Sequence, residues 1–222
     1  MAEPFRIKIC GLATHDTMAA ALQAGADMVG LNFFPKSPRH VTLADAANLA
    51  RQAAGKALVV ALVVDADDAR LHEIARAVKP DMWQFHGKEP PERVAEVRAR
   101  YALPVMKVLG VAAADDLDSI QRYSGIADRI LLDAKPPKDA AYPGGHGQPF
   151  DWSILGELPP EQPFLLAGGL TPENVGSAIG AVRALGVSLA GVDVASGVES
   201  APGVKDLTKI RAFVENARKA VR

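Results

Sequence analysis

The sequence predicts an α/β protein whose eight parallel strands close into a single-domain (β/α)8 TIM barrel, and three observations carry the prediction. Short apolar runs alternate with helical patterns along the whole chain. The strand starts fall near residues 5, 27, 57, 81, 104, 129, 163 and 189, separated by 22 to 34 residues. Runs such as Leu58-Val59-Val60-Ala61-Leu62-Val63-Val64 are apolar on both faces, as strands covered by helices must be. With eight βα units in 222 residues, a closed barrel is the economical solution. A doubly wound open sheet is the alternative. It should carry a GxGxxG-type fingerprint in its first turn, and Cys10-Gly11-Leu12-Ala13-Thr14 is not one. No composition break marks a domain boundary, so residues 1–222 are read as one catalytic domain.

The first strand, 5–10, has period two: Phe5, Ile7 and Ile9 cover one face while Lys8 and Cys10 share the other. Gly11 turns out of it, Thr14 supplies an N-cap for the helix that follows, and Gly25 ends that helix. Residues 27–34 are the second apolar run, and after Pro35-Lys36-Ser37-Pro38-Arg39-His40 a helix capped at Thr42 closes at Gly55. Residues 57–64 form the third strand and 67–79 its helix, with Leu71, Ile74 and Val78 at helical spacing. The fourth strand is 81–86, and Pro90-Pro91 opens a helix carrying Val94, Val97 and Tyr101. Residues 104–108 and 129–133 are the fifth and sixth strands, with a shorter helix at 115–122 between them. A long Pro/Gly/Lys loop runs through Pro149 to a brief helical piece at 152–155. The seventh strand, 163–167, leads to a helix over 172–185, and the eighth, 189–194, to a loop at 195–205 and a last helix at 207–221.

Lysine plus arginine number 25 and aspartate plus glutamate 26, so the net charge of −1 gives no global field to draw the chain to nucleic acid or an anionic membrane. There is no uninterrupted apolar stretch of about 18 residues. The N-terminus Met1-Ala2-Glu3-Pro4 lacks a basic region followed by an apolar one, so the cytoplasmic compartment is expected. One cysteine excludes an internal disulfide, and the five histidines, at 15, 40, 72, 86 and 146, form no metal-binding pattern; no metal is expected. A small ligand must be held by local groups.

Barrels place their chemistry at the carboxyl ends of the strands. Lys8 and Cys10, Gln84 and His86, Lys107, Asp133 beside outward Ile130 and Leu132, and Asp193 are all expected to face inward there. Any one alone reads as a satisfied interior polar residue. Their convergence on one mouth is the stronger signal, because buried polar groups are costly unless satisfied or used. Cys10 has two readings, a small buried hydrophobe or a base poised near neutral pH by the cation of Lys8, since an unperturbed thiol titrates at about 8.5. Ala167-Gly168-Gly169-Leu170-Thr171-Pro172 and Ala195-Ser196-Gly197-Val198-Glu199 follow the seventh and eighth strands, where barrels frequently hold phosphate. Their glycines let backbone N–H groups approach oxygens closely, and Ser196 adds a hydroxyl. Tyr142-Pro143-Gly144-Gly145-His146-Gly147 is a third glycine-rich loop, read as a mobile lid or an exposed linker.

Lys8-Ile9-Cys10-Gly11, Ser37-Pro38-Arg39, Gln84-Phe85-His86-Gly87, Leu132-Asp133, Gly144-Gly145-His146-Gly147, Leu166-Ala167-Gly168-Gly169-Leu170 and Asp193-Val194-Ala195-Ser196-Gly197-Val198-Glu199 occur in this order. In that combination the chain resembles the phosphoribosylanthranilate isomerases of tryptophan biosynthesis over nearly its whole length. Two positions depart: His146 stands where the family usually has threonine, and Gln148 where lysine is common.

The resemblance implies an Amadori rearrangement of N-(5-phosphoribosyl)anthranilate to 1-(2-carboxyphenylamino)-1-deoxyribulose 5-phosphate, with no cofactor. It assigns Asp133 as the acid for ring opening and Cys10 as the base at C2. A desolvated mouth can supply the raised pKa that such an acid requires. Arg39 becomes the partner of the anthranilate carboxylate, and Gly168, Gly169, Asp193, Ser196 and Gly197 contact substrate. The implied partner is a small phosphosugar-anthranilate substrate, not nucleic acid or membrane; monomer and homodimer stay open. An aminoaldose isomerase of histidine biosynthesis should have aspartate at position 10, and a pentose phosphate epimerase should have metal-binding histidines. A catalytically idle phosphosugar-binding scaffold sits poorly with Cys10 and Asp133 both in place.

Overall fold

The computed structural model describes residues 4–135, 144 and 150–222. Eight strands, β1 Arg6–Cys10, β2 Met28–Asn32, β3 Leu58–Val63, β4 Met82–Phe85, β5 Val105–Val111, β6 Arg129–Ala134, β7 Phe164–Leu166 and β8 Leu189–Val194, pair in sequence order. All the pairings are parallel, and β1 bonds to both β2 and β8, which closes the barrel.

Local chemistry sets the helix ends. In α1, His15–Ala24, the Thr14 hydroxyl accepts from Thr17 N–H and the Thr17 hydroxyl accepts from Thr14 N–H, while Gly25 at φ 87° stops the helix. Thr42 caps α2, Leu43–Ala53, and Asp67 caps α3, Asp68–Val78, as their sequence positions require. Pro90 and Pro91 open α4, Pro91–Tyr101. The fifth connection is a 3₁₀ helix, Ala114–Tyr123, rather than an α-helix. Its buried residues Leu117, Ile120 and Tyr123 recur every third position, which stacks them on one face of a three-residue turn. A second 3₁₀ segment spans Trp152–Glu157, and α5, Val175–Ala184, and α6, Leu207–Ala220, complete the outer layer. The start of α5 is three residues later than the sequence suggests. The Thr171 hydroxyl accepts from Glu173 and Asn174 N–H and holds that stretch as a turn. No helix of the described residues is long and apolar enough to cross a membrane.

Alternation along the strands sorts two apolar populations. Ile7, Ile9, Val29, Leu31, Trp83, Phe85, Ile130, Leu132, Phe164 and Leu166 pack outward with the helices. Each large apolar side chain buried there contributes roughly 1.5–3 kcal/mol. Met28, Val60, Met82, Met106, Val108, Leu131, Leu165 and Ala167 fill the inside. Above that apolar plug, toward the strand ends, the inward positions are polar. Lys107 is not among them, contrary to expectation. Register pairs it with Phe85 and Ile130, both outward, and its neighbours Met106 and Val108 take the interior. The strand also runs on to Val111, so Lys107 is the third of its seven residues, and parity decides against the mouth. Its ammonium instead bonds the Glu89 carboxylate and the Gly87 carbonyl, each at 2.8 Å, beside the Tyr123 ring.

The segment read as a plain loop at 195–205 holds one 3₁₀ turn, Ser196–Val198, and an antiparallel pair, β9 Glu199–Ala201 with β10 Val204–Lys205. Strands of three and two residues are too short to show an alternating pattern.

Candidate functional site

The mouth opens into a cavity bordered by Cys10, Arg39, Asp133, Asp193 and the loops after β7 and β8. Cys10 ends β1 beside Gly30 of β2, whose missing side chain makes room for the sulfur: a Cβ there would lie 2.8 Å from Sγ. Two residues earlier, Lys8 is fully buried and donates to Asp193 Oδ1 at 2.7 Å, its register partner on β8. Burial opposes the Lys8 charge, but Asp193 and the Cys10 thiolate together hold the ammonium above its ordinary pKa. The thiol behaves differently from the sequence expectation. Burial pushes Cys10 above its ordinary pKa, outweighing Lys8, and the Asp193 carboxylate pushes the same way. The lysine that should have favoured the thiolate is already matched by an aspartate.

Asp133 comes from β6, with β7 and β8 between it and β1. Its carboxylate Oδ2 lies 3.5 Å from His86 Nε2, and both side chains border the cavity. Gly144 packs directly against this pair: a Cβ at 144 would come within 2.5 Å of Asp133 Oδ2 and 2.7 Å of His86 Nε2. The rest of that glycine-rich loop, including Tyr142, His146 and Gln148, lies outside the described residues. Gln84, facing inward two residues before His86, has its buried Oε1 without a hydrogen-bond donor among the described residues.

The two glycine loops meet. Gly168 and Gly169 take φ of 82° and 67°, conformations that side chains rarely adopt, and a Cβ on Gly168 would sit 2.5 Å from the Ala134 nitrogen. Asn174 braces the turn by donating to the Gly169 carbonyl at 2.9 Å and accepting from Thr171 N–H at 2.7 Å. A Cβ on Gly197 would collide with the Leu170 carbonyl oxygen, so the loop after β8 lies flat on the loop after β7. Gly168, Gly169, Ser196 and Gly197 all border the same cavity.

Arg39 reaches the mouth from the β2–α2 connection, which Asn32 and Ser37 fold: Asn32 Nδ2 donates to Ser37 Oγ, which also accepts from Arg39 N–H. The Arg39 guanidinium forms a bidentate pair with Glu199, at 2.7 Å from Nε and 2.9 Å from Nη2. Lys205 adds a third bond to Glu199 at 2.8 Å. The structure thus brings Cys10, Arg39, Asp133, Gly168, Gly169, Asp193, Ser196 and Gly197 to one mouth and leaves Lys107 outside it. Asn32 escaped notice, although its place at the end of β2, two and four positions from Gly30 and Met28, puts it on the inward set. Glu199 closes the stretch Asp193-Val194-Ala195-Ser196-Gly197-Val198-Glu199, but nothing local reveals that Arg39, 160 positions away, is its partner.

A family model described as N-(5'phosphoribosyl)anthranilate (PRA) isomerase matches residues 7–216. An N-(5'-phosphoribosyl)anthranilate isomerase of Rhodopseudomonas palustris (strain BisA53) is 57% identical over 215 residues, covering 97% of this chain and 96% of the relative. The crystal structure of phosphoribosyl anthranilate isomerase from Thermotoga maritima superposes with a TM-score of 0.85 at 34% identity, over 97% of this chain and 99% of that one. A phosphoribosyl anthranilate isomerase in complex with reduced 1-(o-carboxyphenylamino)-1-deoxyribulose 5-phosphate matches with a TM-score of 0.80 at 32% identity, over 97% and 99%. By the family model and by identity over nearly its full length, the chain belongs to the N-(5'-phosphoribosyl)anthranilate isomerase family.

Proposed function

We propose that the cavity rearranges N-(5-phosphoribosyl)anthranilate to 1-(2-carboxyphenylamino)-1-deoxyribulose 5-phosphate, with Asp133 as acid and Cys10 as base. Family membership supports the reaction; the observation that supports the residue roles is that Cys10 and Asp133 enter one cavity from strands with two others between them. The Asp133 carboxyl delivers its proton to the furanose oxygen, the bond from that oxygen to C1 breaks, and the anthranilate nitrogen lone pair forms the iminium. The Cys10 thiolate then removes the C2 proton, whose electrons move toward nitrogen to give the enolamine. Tautomerisation returns a proton to C1 and leaves the ketone at C2. Hydrogen moves within the molecule and nothing is oxidised overall, so the steps need no cofactor. Asp193, tied to Lys8, shapes the field at Cys10, and the open acceptor of Gln84 suits a sugar hydroxyl.

All these groups come from one chain, so a monomer and a homodimer would each carry complete sites. A cytoplasmic setting keeps the single thiol reduced, as a base at that position requires.

The loops at Gly168-Gly169 and Ser196-Gly197 are assigned the substrate phosphate. Inorganic phosphate at millimolar concentration should therefore compete with substrate, raising the apparent KM without lowering kcat. A KM indifferent to phosphate would remove the anion from those loops. Arg39 is assigned the anthranilate carboxylate. Arg39→Lys should weaken kcat/KM by about 1–3 kcal/mol, because lysine keeps the charge but loses the planar fork. An unchanged kcat/KM would take Arg39 out of the carboxylate site. Activity itself is tested with purified protein by the loss of anthranilate-type fluorescence from phosphoribosylanthranilate.

A further inference from the structure

The reaction steps above make no use of Glu199 or Lys205, yet the fold buries both and bonds Glu199 to Arg39, which borders the cavity. Glu199 accepts from Arg39 Nε and Nη2, from Lys205 Nζ at 2.8 Å and from Gly203 N–H at 3.2 Å. Lys205 also donates to the Ala195 carbonyl at 2.7 Å, and Lys209 to the Glu199 carbonyl at 2.9 Å. The short β9–β10 pair exists in this geometry to carry the two ends of that cluster, since Glu199 and Lys205 are register partners. Burial disfavours the Glu199 charge, but Arg39 and Lys205 outweigh it and hold the carboxyl below its ordinary pKa. Below Arg39, Gly11 leaves the space its stem occupies: a Cβ at Gly11 would fall 2.6 Å from Cδ. A long arginine normally loses rotamer freedom when it grips a ligand. Here the stem is seated on Gly11 and the guanidinium is fixed in plane by two parallel bonds before any substrate arrives.

We infer that Glu199 is a positioning residue for substrate selection: it fixes the Arg39 guanidinium in the orientation that meets the aryl carboxylate of the substrate, and Lys205 anchors Glu199 for that task. This rests on the assignment of Arg39 to the carboxylate, and the experiment separates the two. Reductive amination of ribose 5-phosphate with anthranilate or with aniline gives two stable product analogues that differ only in the carboxylate. Their dissociation constants are measured by calorimetry for the native protein, Glu199→Gln, Arg39→Met and the double variant. Glu199→Gln should weaken the carboxylated analogue about tenfold while leaving the aniline analogue within about twofold. The double variant should bind the carboxylated analogue no more weakly than Arg39→Met alone, because the two residues act as one unit.

Equal weakening of both analogues would mean that Glu199 merely supports the phosphate loops, and the inference would be wrong. Tighter binding of the carboxylated analogue would mean that Glu199 competes for Arg39, which also overturns it. If Arg39→Met fails to distinguish the analogues, the carboxylate assignment falls first; if it distinguishes them and Glu199→Gln does not, only the positioning role falls. Should Glu199→Gln fail to fold, Glu199→Asp keeps the charge on a stem one carbon shorter and should show the same selective loss.

Discussion

Cys10→Ser should fold as the native protein does and lose at least about 10³-fold in kcat/KM, the upper range of what a positioned base contributes. The two side chains differ by one atom, and the pocket that Gly30 opens for the sulfur accommodates the smaller oxygen without collision. An alcohol, however, cannot become an alkoxide in this setting. Lys8 is matched by Asp193, whose carboxylate disfavours a second anion beside it, and burial acts in the same direction. The same physics governs the native thiol. Since folding raises its pKa, the thiolate fraction should be small at neutral pH and should rise through a midpoint above the unperturbed value of about 8.5. The chain has one cysteine, so thiolate absorbance near the far ultraviolet reports Cys10 directly once the Cys10→Ser spectrum is subtracted. A midpoint below the ordinary thiol value would show that Lys8 prevails over burial. Near-native turnover by Cys10→Ser would remove the thiol from the base role altogether.

The barrel was legible because its signals are local and repeat. Eight apolar runs bounded by turns, with caps at Thr14 and Thr42, are each set by side chains within four residues of one another. The inward placement of Lys8, Cys10, Asp133 and Asp193 followed from period two and holds in the register. Lys107 shows where that reasoning needs its own arithmetic: a polar residue near a strand end is not thereby inside, and counting from Met106 or Val108 places it outside. The 3₁₀ helix at Ala114–Tyr123 was read as helical but not by type, because an apolar residue every third position also fits part of an α-helical face.

What sequence could not supply was pairing across the closed sheet. Lys8 and Asp193 are 185 positions apart, and Arg39 and Glu199 are 160 apart. Both contacts depend on closure, which brings β8 against β1 and lays the connection after β8 over the connection after β2. The electrostatics of Cys10 depend on the first of these. A cation two residues away on the same face predicts a lowered thiol pKa; burial reverses the sign, and the distant aspartate that occupies that cation adds to it.

Asp133→Asn should fail at a different step from Cys10→Ser, and the difference can be measured. Asparagine keeps the size of the side chain, so the close packing of Gly144 and His86 around it should survive, and it can still donate a hydrogen bond to the ring oxygen. It cannot release a proton there. Ring opening of the natural substrate should slow by about 10²–10⁴-fold, the usual contribution of a general acid, while the base at C2 remains intact. The imine of anthranilate with 4-deoxyribose 5-phosphate has no hydroxyl with which to close a furanose, and so needs no acid to open it. On that compound Asp133→Asn should run within about tenfold of the native enzyme, whereas Cys10→Ser should stay at least about 10³-fold down. Each substitution should also take one limb from the bell-shaped pH profile that a thiolate and a carboxylic acid produce together. If Asp133→Asn were as impaired on the open imine as on phosphoribosylanthranilate, the carboxyl would be acting after ring opening. The acid that breaks the furanose would then have to be sought elsewhere at the mouth, beginning with His86, which lies 3.5 Å from it.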